Sequence, residues 1–295
     1  MEHPYFLLQP LLWSVGYGFA SLILKRALDG GAGPMRIAFL NNVAIGVYFL
    51  PGLWLLPHPF EIKMLFWPLV ASLLYFVGQI SIFLAMRIGD VTVLSPVLGS
   101  KVVFVAIFTA MLGAGPMPWT SWLASILAAS AVFLLGLSHW SDRRRLLQTA
   151  LLGLTSAALY GRCDLILQMH ASEIGAMPFV ALMMSATMIE SLVLLPFFRQ
   201  PLRAIPRAAW PWAFWGSLLC AAQSGGMAYT TSHYGHANAV NVVYSTRGLW
   251  SILLVCVAGP WFGNQERAAG AGVMARRIAG ALLLLVAVCL ILHGM

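Results

Sequence analysis

Apolar residues run along this chain in blocks of about twenty, broken by short clusters of Arg, Lys, Gly, Pro and His. A block of that length, wound as a helix rising about 1.5 Å per residue, matches the ~30 Å hydrocarbon core of a bilayer. Ten such blocks are legible, at 5–24, 36–56, 66–86, 91–112, 118–138, 148–169, 177–197, 210–231, 237–258 and 275–293. The joints between them are short, such as RIGD (87–90), GAGPMP (113–118) and HYGHA (233–237). The longest, GPWFGNQERAAGAGVMARR (259–277), leaves no room for a domain outside the membrane. The pattern predicts an all-α integral membrane protein with ten transmembrane helices. Trp54, Trp67, Trp119, Trp140, Trp210, Trp212 and Trp261 fall at block ends, where amphipathic rings settle at headgroup depth.

Composition removes the alternatives. The 295 residues are 60% hydrophobic and 9% charged, and mean hydropathy is +0.85. A water-soluble domain carries about a quarter charged residues, so 9% cannot cover a water-facing surface. Cys163, Cys220, Cys256 and Cys289 all lie within apolar blocks without CxxC or Cys/His spacing, which excludes a disulfide framework and a zinc site. The N-terminus MEHPYFLLQP has neither a basic n-region nor a following cleavage site, so the first block reads as a retained span.

The net charge of +8 reports topology, not nucleic-acid binding. Lys25, Arg26, Arg36, Arg87, Arg143, Arg144, Arg145, Arg199, Arg203, Arg207, Arg267, Arg276 and Arg277 all lie in connections that follow odd-numbered blocks, against Lys63 alone on the other side. The positive-inside rule then puts the odd-numbered loops in the cytoplasm and both termini in the periplasm of an inner (plasma) membrane protein.

The two halves echo each other. YGFASLIL (17–24) aligns with YGRCDLIL (160–167) at an offset of 143, and DVTVLSPVLGSK (90–101) with HANAVNVVYSTR (236–247) at 146, each ending on a basic residue. Five spans per half is an odd number, so the second half enters the membrane upside down. The expectation is two inverted five-helix repeats, 1–142 and 143–295, a transporter architecture with its site near the midplane between them.

On LLWSVGYGFASLILK (11–25), IGDVTVLSPVLGSKVVFVAIFTAMLG (88–113) and YGHANAVNVVYSTRGLWSILLV (234–255), the sequence resembles the EamA-type ten-helix members of the drug/metabolite transporter superfamily. The resemblance implies membrane transport of a small molecule without a cofactor. The superfamily's sugar-phosphate branch holds its substrate with basic residues on the fourth and ninth spans. Its small multidrug members use a first-helix glutamate to exchange cationic drugs for protons. The first span here has no acidic residue, which disfavours that route.

Candidate chemistry rests on the five charges inside spans: Lys101, Arg162, Asp164, Glu190 and Arg247. Charge at membrane depth is costly and turns toward the bundle interior. Lys101 and Arg247 occupy equivalent places in the two halves, about 15 Å of hydrocarbon from either surface, too deep for snorkelling. Helical spacing puts Asn241, Tyr244, Arg247, Gly248 and Ser251 on one arc of the ninth span. Two cations facing a midplane site suit a carboxylate or phosphate. We therefore expect Lys101, Arg247, Tyr244 and Asn241 to bind substrate, with Tyr17, Tyr160 and Trp250 supplying aromatic walls. The competing assignment pairs Lys101 and Arg247 structurally with Asp164 and Glu190. Those two acids are also the candidates for proton coupling. Arg162 and Asp164, two residues apart on one helix, cannot face each other.

The resulting expectation is a secondary active transporter of a small metabolite with an anionic group, working by alternating access. The alternative is an exporter of amino acids or other amphipathic metabolites whose intramembrane charges are structural. No HExxH, GxSxG, P-loop or metal cluster appears, so catalytic residues, metals and cofactors are not expected. Partners are the small-molecule substrate and the lipid bilayer, with no nucleic acid. The small faces Ala124-Ser125 and Ala279-Gly280 suit close helix packing, including a homodimer contact, so the chain is expected as a monomer or homodimer.

Overall fold

Glycine starts two of the helices at matching places. Gly33 (φ 77°, ψ 135°) leads into Pro34 and the second helix, and Gly175 (φ 96°, ψ 145°) leads into the seventh. Both backbones sit where a side chain is strained, and they turn the chain back into the bundle after the first and sixth helices. A computed structural model describes residues 4–88, 97–136, 143–258 and 271–294. All regular structure among these residues is helical: α1 Leu8–Asp29, α2 Pro34–Phe49, α3 Phe66–Ile88, α4 Lys101–Leu112, α5 Trp119–Gly136, α6 Arg143–His170, α7 Ala176–Glu190, α8 Trp210–Tyr234, α9 Ala237–Tyr244, α10 Arg247–Ala258 and α11 Ala271–Gly294. Ser95-Pro96, Trp140, and residues 259–270 with Trp261, Glu266 and Arg267 lie outside the described residues.

Helix occupies every predicted block. Among the described residues, five segments are long and apolar enough to cross a bilayer: Tyr5–Asp29, Pro34–Leu55, Ile62–Ile82, Leu147–Glu173 and Ala176–Phe197. Val97–Leu112, Trp119–Leu134 and Ile278–His293 are apolar but shorter. α8 falls outside both groups because it carries Ser217, Gln223, Ser224, Thr230, Thr231 and Ser232, most of them buried among neighbouring helices. This is a multi-pass membrane protein.

The ninth block is not one helix. It is interrupted at Ser245-Thr246, where the Ser245 hydroxyl donates to Val242 O and that of Thr246 to Val243 O. The same device interrupts the fourth block, where Ser100 donates to Val97 O immediately before α4. Hydroxyls that bond nearby carbonyls compete with the helical ladder and bend or break it. Both interruptions therefore fall directly before a basic residue, Lys101 and Arg247.

The helix packing repeats itself. The most extensive contacts are α3 with α6, α1 with α8, and α5 with α11. Counting by fives, the first two are counterparts, and so are the α2–α8 and α3–α7 pairs. Short 3-10 helices, Leu50–Leu55 and Ser191–Phe197, extend α2 and α7 alike.

Two clusters form most of the core. One joins Ala124, Ala128 and Ala131 of α5 to Leu284, Ala287 and Ile291 of α11 and to Val240 and Val243 of α9. The small face of α5 is thus consumed inside the chain, which gives the expected dimer contact at Ala124-Ser125 an intramolecular use. The other packs Phe179, Val180, Met183 and Met184 of α7 against α2, α3, α6 and α8. α8 threads through with Gly225 and Gly226, where an added Cβ would meet the Phe49 ring at 1.8 Å and the Trp13 indole at 2.4 Å. The Gly225-Gly226 pair is thus a point of close helix approach inside an unbroken helix.

Candidate substrate site

Lys101 opens α4, and its ammonium lies 2.7 Å from Asp164 Oδ2 on α6. The same carboxylate oxygen accepts a 2.6 Å hydrogen bond from Asn241 Nδ2 on α9. Asn241 also donates to Ala237 O one turn back, which fixes its amide. One carboxylate thus holds three helices together. The pair is not sealed, since its side chains keep 17% and 14% of their surface accessible. Lys101 also stands 5.8 Å from the centre of the Tyr160 ring, on α6 one turn before Asp164.

Arg247 opens α10 in the same way. Its guanidinium lies over two rings, Tyr17 of α1 at 5.1 Å and Tyr244 of α9 at 4.7 Å. The two rings meet edge-on with centroids 6.3 Å apart. Rings at this distance attract a cation by about 0.5–2 kcal/mol each, more where water is excluded. The Tyr244 hydroxyl donates to Gln223 Oε1 at 2.7 Å, and Gln223 Nε2 donates to Ser224 Oγ, so α8 sets the ring's orientation. Ser14 of α1 shares a 3.1 Å hydrogen bond with Thr246, anchoring the interruption from which Arg247 projects.

The two centres match across the halves. Tyr17 and Tyr160 are equivalent in the aligned octets, and each lies against the cation from the fourth or ninth block of the other half. The partners of the cations differ. The residue aligned with Asp164 is Ser21, whose hydroxyl donates to Gly18 O on its own helix. Tyr75 of α3 packs on Tyr160 with ring centroids 5.3 Å apart, so a run of tyrosines lies beside the charged groups.

Of the residues expected to bind substrate, the fold gathers Lys101, Asn241 and Tyr160 around Asp164, and Tyr17 and Tyr244 around Arg247. Trp250 stands one turn beyond Arg247 with its Nε1 buried and unpaired. No hydrogen bond or ring contact among the described residues joins it to either centre. Glu190 is elsewhere, between α7 and α3, where Oε1 accepts from Ser72 at 2.8 Å and Oε2 is buried without a partner. Arg162 faces away from Asp164. It is half-buried, and its Nη1 is buried without a hydrogen-bond partner among the described residues. The side chain of Ser251 lies outside what the structure describes.

Sequence reasoning passed over Gln168. Its Nε2 donates to Ala114 O at 2.6 Å, just beyond α4, and its Oε1 accepts from Ala237 N at 2.8 Å, the first residue of α9. One side chain thus ties the end of the fourth block to the start of the ninth. The signal was present, because Gln168 stands four residues after Asp164 and shares its helix face.

A solved crystal structure matches this fold with a TM-score of 0.76 over 97% of both chains, at 13% sequence identity. The curated proteins hold no significant match to the sequence. Residues 5–137, the stretch from the start of the first span to the end of α5, match the family model of the EamA-like transporter family. On that match, the first half of the chain is similar to the EamA-like transporters of the drug/metabolite transporter superfamily.

Proposed function

We propose that the protein is a secondary active transporter that moves a small metabolite with an anionic group, a carboxylate or phosphate, across the inner membrane by alternating access. The family match supports transport of a small molecule and argues against an enzyme. The finer reading is carried by one observation: two cations at matched helix interruptions, each set against a tyrosine of the opposite half. An ion or anionic group meeting interrupted helices near the midplane is the recurrent arrangement of inverted-repeat carriers. We read residues 1–142 and 143–295 as such repeats, supported by the paired helix contacts and by the family match, which ends at residue 137 within the first of them.

In this reading Arg247 is the principal anchor. A guanidinium flanked by rings can present a planar fork to a carboxylate or phosphate. Tyr17, Tyr244 and Tyr160 line the approach, Trp250 forms its far wall, and Asn241 holds the neighbouring carboxylate. Asp164 is the proton-coupling group, since it touches the substrate cation Lys101, whereas Glu190 sits in a separate helix interface. We read the basic loops as lying in the cytoplasm, with the odd-numbered connections. An Asp29→Cys variant would then label from the cytoplasmic face only, and labelling from the periplasm reverses the topology.

The alternative, an exporter of amphipathic metabolites with structural charges, draws its support from the Lys101–Asp164 ion pair. Counterflow in proteoliposomes decides between them, after a thermal-shift screen against carboxylates, phosphate esters and uncharged amphiphiles. Anionic ligands should stabilise the purified protein and drive counterflow, and Arg247→Ala should remove both while the protein still elutes as a folded monodisperse species. Unchanged counterflow by that variant, or stabilisation by uncharged ligands alone, overturns the anionic reading.

A further inference from the structure

The two centres differ in one respect that bears on coupling. Lys101 already holds an anion, the Asp164 carboxylate, at the distance a substrate carboxylate would occupy. The equivalent position in the first half is Ser21, which is uncharged and bonded to its own helix. The site is thus a pair of related cation centres, one of which carries a built-in carboxylate. Resting on the anionic-substrate reading, we propose that Asp164 is an internal competitor for Lys101, so that anion binding at Lys101 and protonation of Asp164 are coupled.

The argument is electrostatic. Two carboxylates cannot share one ammonium at hydrogen-bond distance without strong mutual repulsion, and the usual relief is that one of them takes a proton. When a substrate anion reaches Lys101 Nζ, Asp164 gives up the ammonium and accepts a proton from water on whichever side the site is open. One proton is bound for each anion that displaces the carboxylate, and it is released when the anion leaves. By linkage the effect is reciprocal: protonating Asp164 raises anion affinity by the factor by which the anion favours protonation. Asn241 turns this exchange into motion. Its amide donates to the ionised oxygen and to Ala237 O, so a protonated Asp164 weakens the tie between α6 and the first turn of α9.

The groups that face Asp164 are consistent with this role. α4 contributes Lys101, and α9 contributes Asn241. On α6 itself, Tyr160 stands one turn away beside Lys101, with Tyr75 of α3 behind it, and Arg162, two residues before Asp164 and so on another face of the helix, has its Nη1 buried without a hydrogen-bond partner. From α8, Gln223 is engaged by Tyr244, and Arg247 of α10 lies over Tyr17 and Tyr244. Among these groups Asp164 is the only carboxylate, so a proton taken up together with an anion between pH 5 and 8 goes to it.

The test uses p-toluenesulfonate, an anion whose own charge is constant across that range, with purified full-length protein in lipid nanodiscs. Wild-type affinity should rise as pH falls from 8 to 5, by up to about tenfold per unit where one proton is linked. Asp164→Asn should bind more tightly at pH 8 and lose the pH dependence. Because that variant also loses a three-helix tie, the uncharged pair Lys101→Gln/Asp164→Asn serves as a second variant. It should bind weakly and independently of pH. Wild-type pH dependence retained in either variant overturns the competition while leaving the anionic reading in place. Failure of the wild type to bind this or any other anion removes the anionic reading, and the coupling with it.

Discussion

The Lys101 ammonium lies 2.7 Å from the Asp164 carboxylate, across the contact between α4 and α6. Each charge is tolerable at membrane depth because the other is there. Removing one partner strands the other, and this determines what single substitutions at the site report.

Lys101→Ala should therefore lower stability, on the order of 3 kcal/mol, through the uncompensated carboxylate. Lys101→Ala combined with Asp164→Ala should recover much of that loss. A double-mutant cycle of melting temperatures in detergent checks this. Additive losses would show that the two charges do not interact in the folded protein.

Asn42 of α2 and Gln79 of α3 exchange two amide hydrogen bonds, at 2.7 and 3.0 Å, and both residues are buried. Substituting either one by Leu leaves a buried amide unpaired, at a cost of about 1–3 kcal/mol. Replacing both by Leu should be milder than either single change, as read from thermal unfolding of the three variants.

Gly225→Ala and Gly226→Ala should each collapse stability or prevent folding. The added methyl would overlap the Phe49 or Trp13 ring, and rings wedged between helices have nowhere to go. Gly16→Ala on α1 is the control. Its Cβ would meet Gln223 Cβ at 3.6 Å, an ordinary contact, and alanine favours the helix by about 1 kcal/mol. Expression and melting temperature of the three proteins should separate the first two from the third.

Gln168→Leu removes both ties between the end of α4 and the start of α9. The expected loss is about 1–2 kcal/mol. The more specific sign is faster hydrogen exchange at the Ala237 amide and the first turn of α9. Unchanged exchange there would mean that the Gln168 bonds do not hold α9 in place.

Much of this protein is legible in its pattern of residues. Twenty-residue apolar blocks dictate helices because a backbone in hydrocarbon must satisfy its own hydrogen bonds, and helix lies in every block so identified. The equivalence of Tyr17 with Tyr160 and of Lys101 with Arg247 could also be read directly, and the structure sets each cation against the tyrosine of the other half. The interruptions before Lys101 and Arg247 were encoded too, in Ser100 and Ser245-Thr246, but their hydroxyls resemble ordinary small polar residues until their carbonyl partners are seen.

Partner choice belonged to the tertiary structure. Asp164 and Glu190 look alike along the chain, each a lone acid in an apolar helix, with two intramembrane cations to satisfy. Packing α6 against α4 gives Asp164 to Lys101, and packing α7 against α3 leaves Glu190 with Ser72. The small face of α5 was equally open until the bundle closed it on Leu284, Ala287 and Ile291 of α11. Periodicity and hydropathy are local properties, and they determined which segments are helical and where charge is expensive. Which charge meets which depends on the rotation and depth of each helix against its neighbours, and that is decided only when all the helices pack at once.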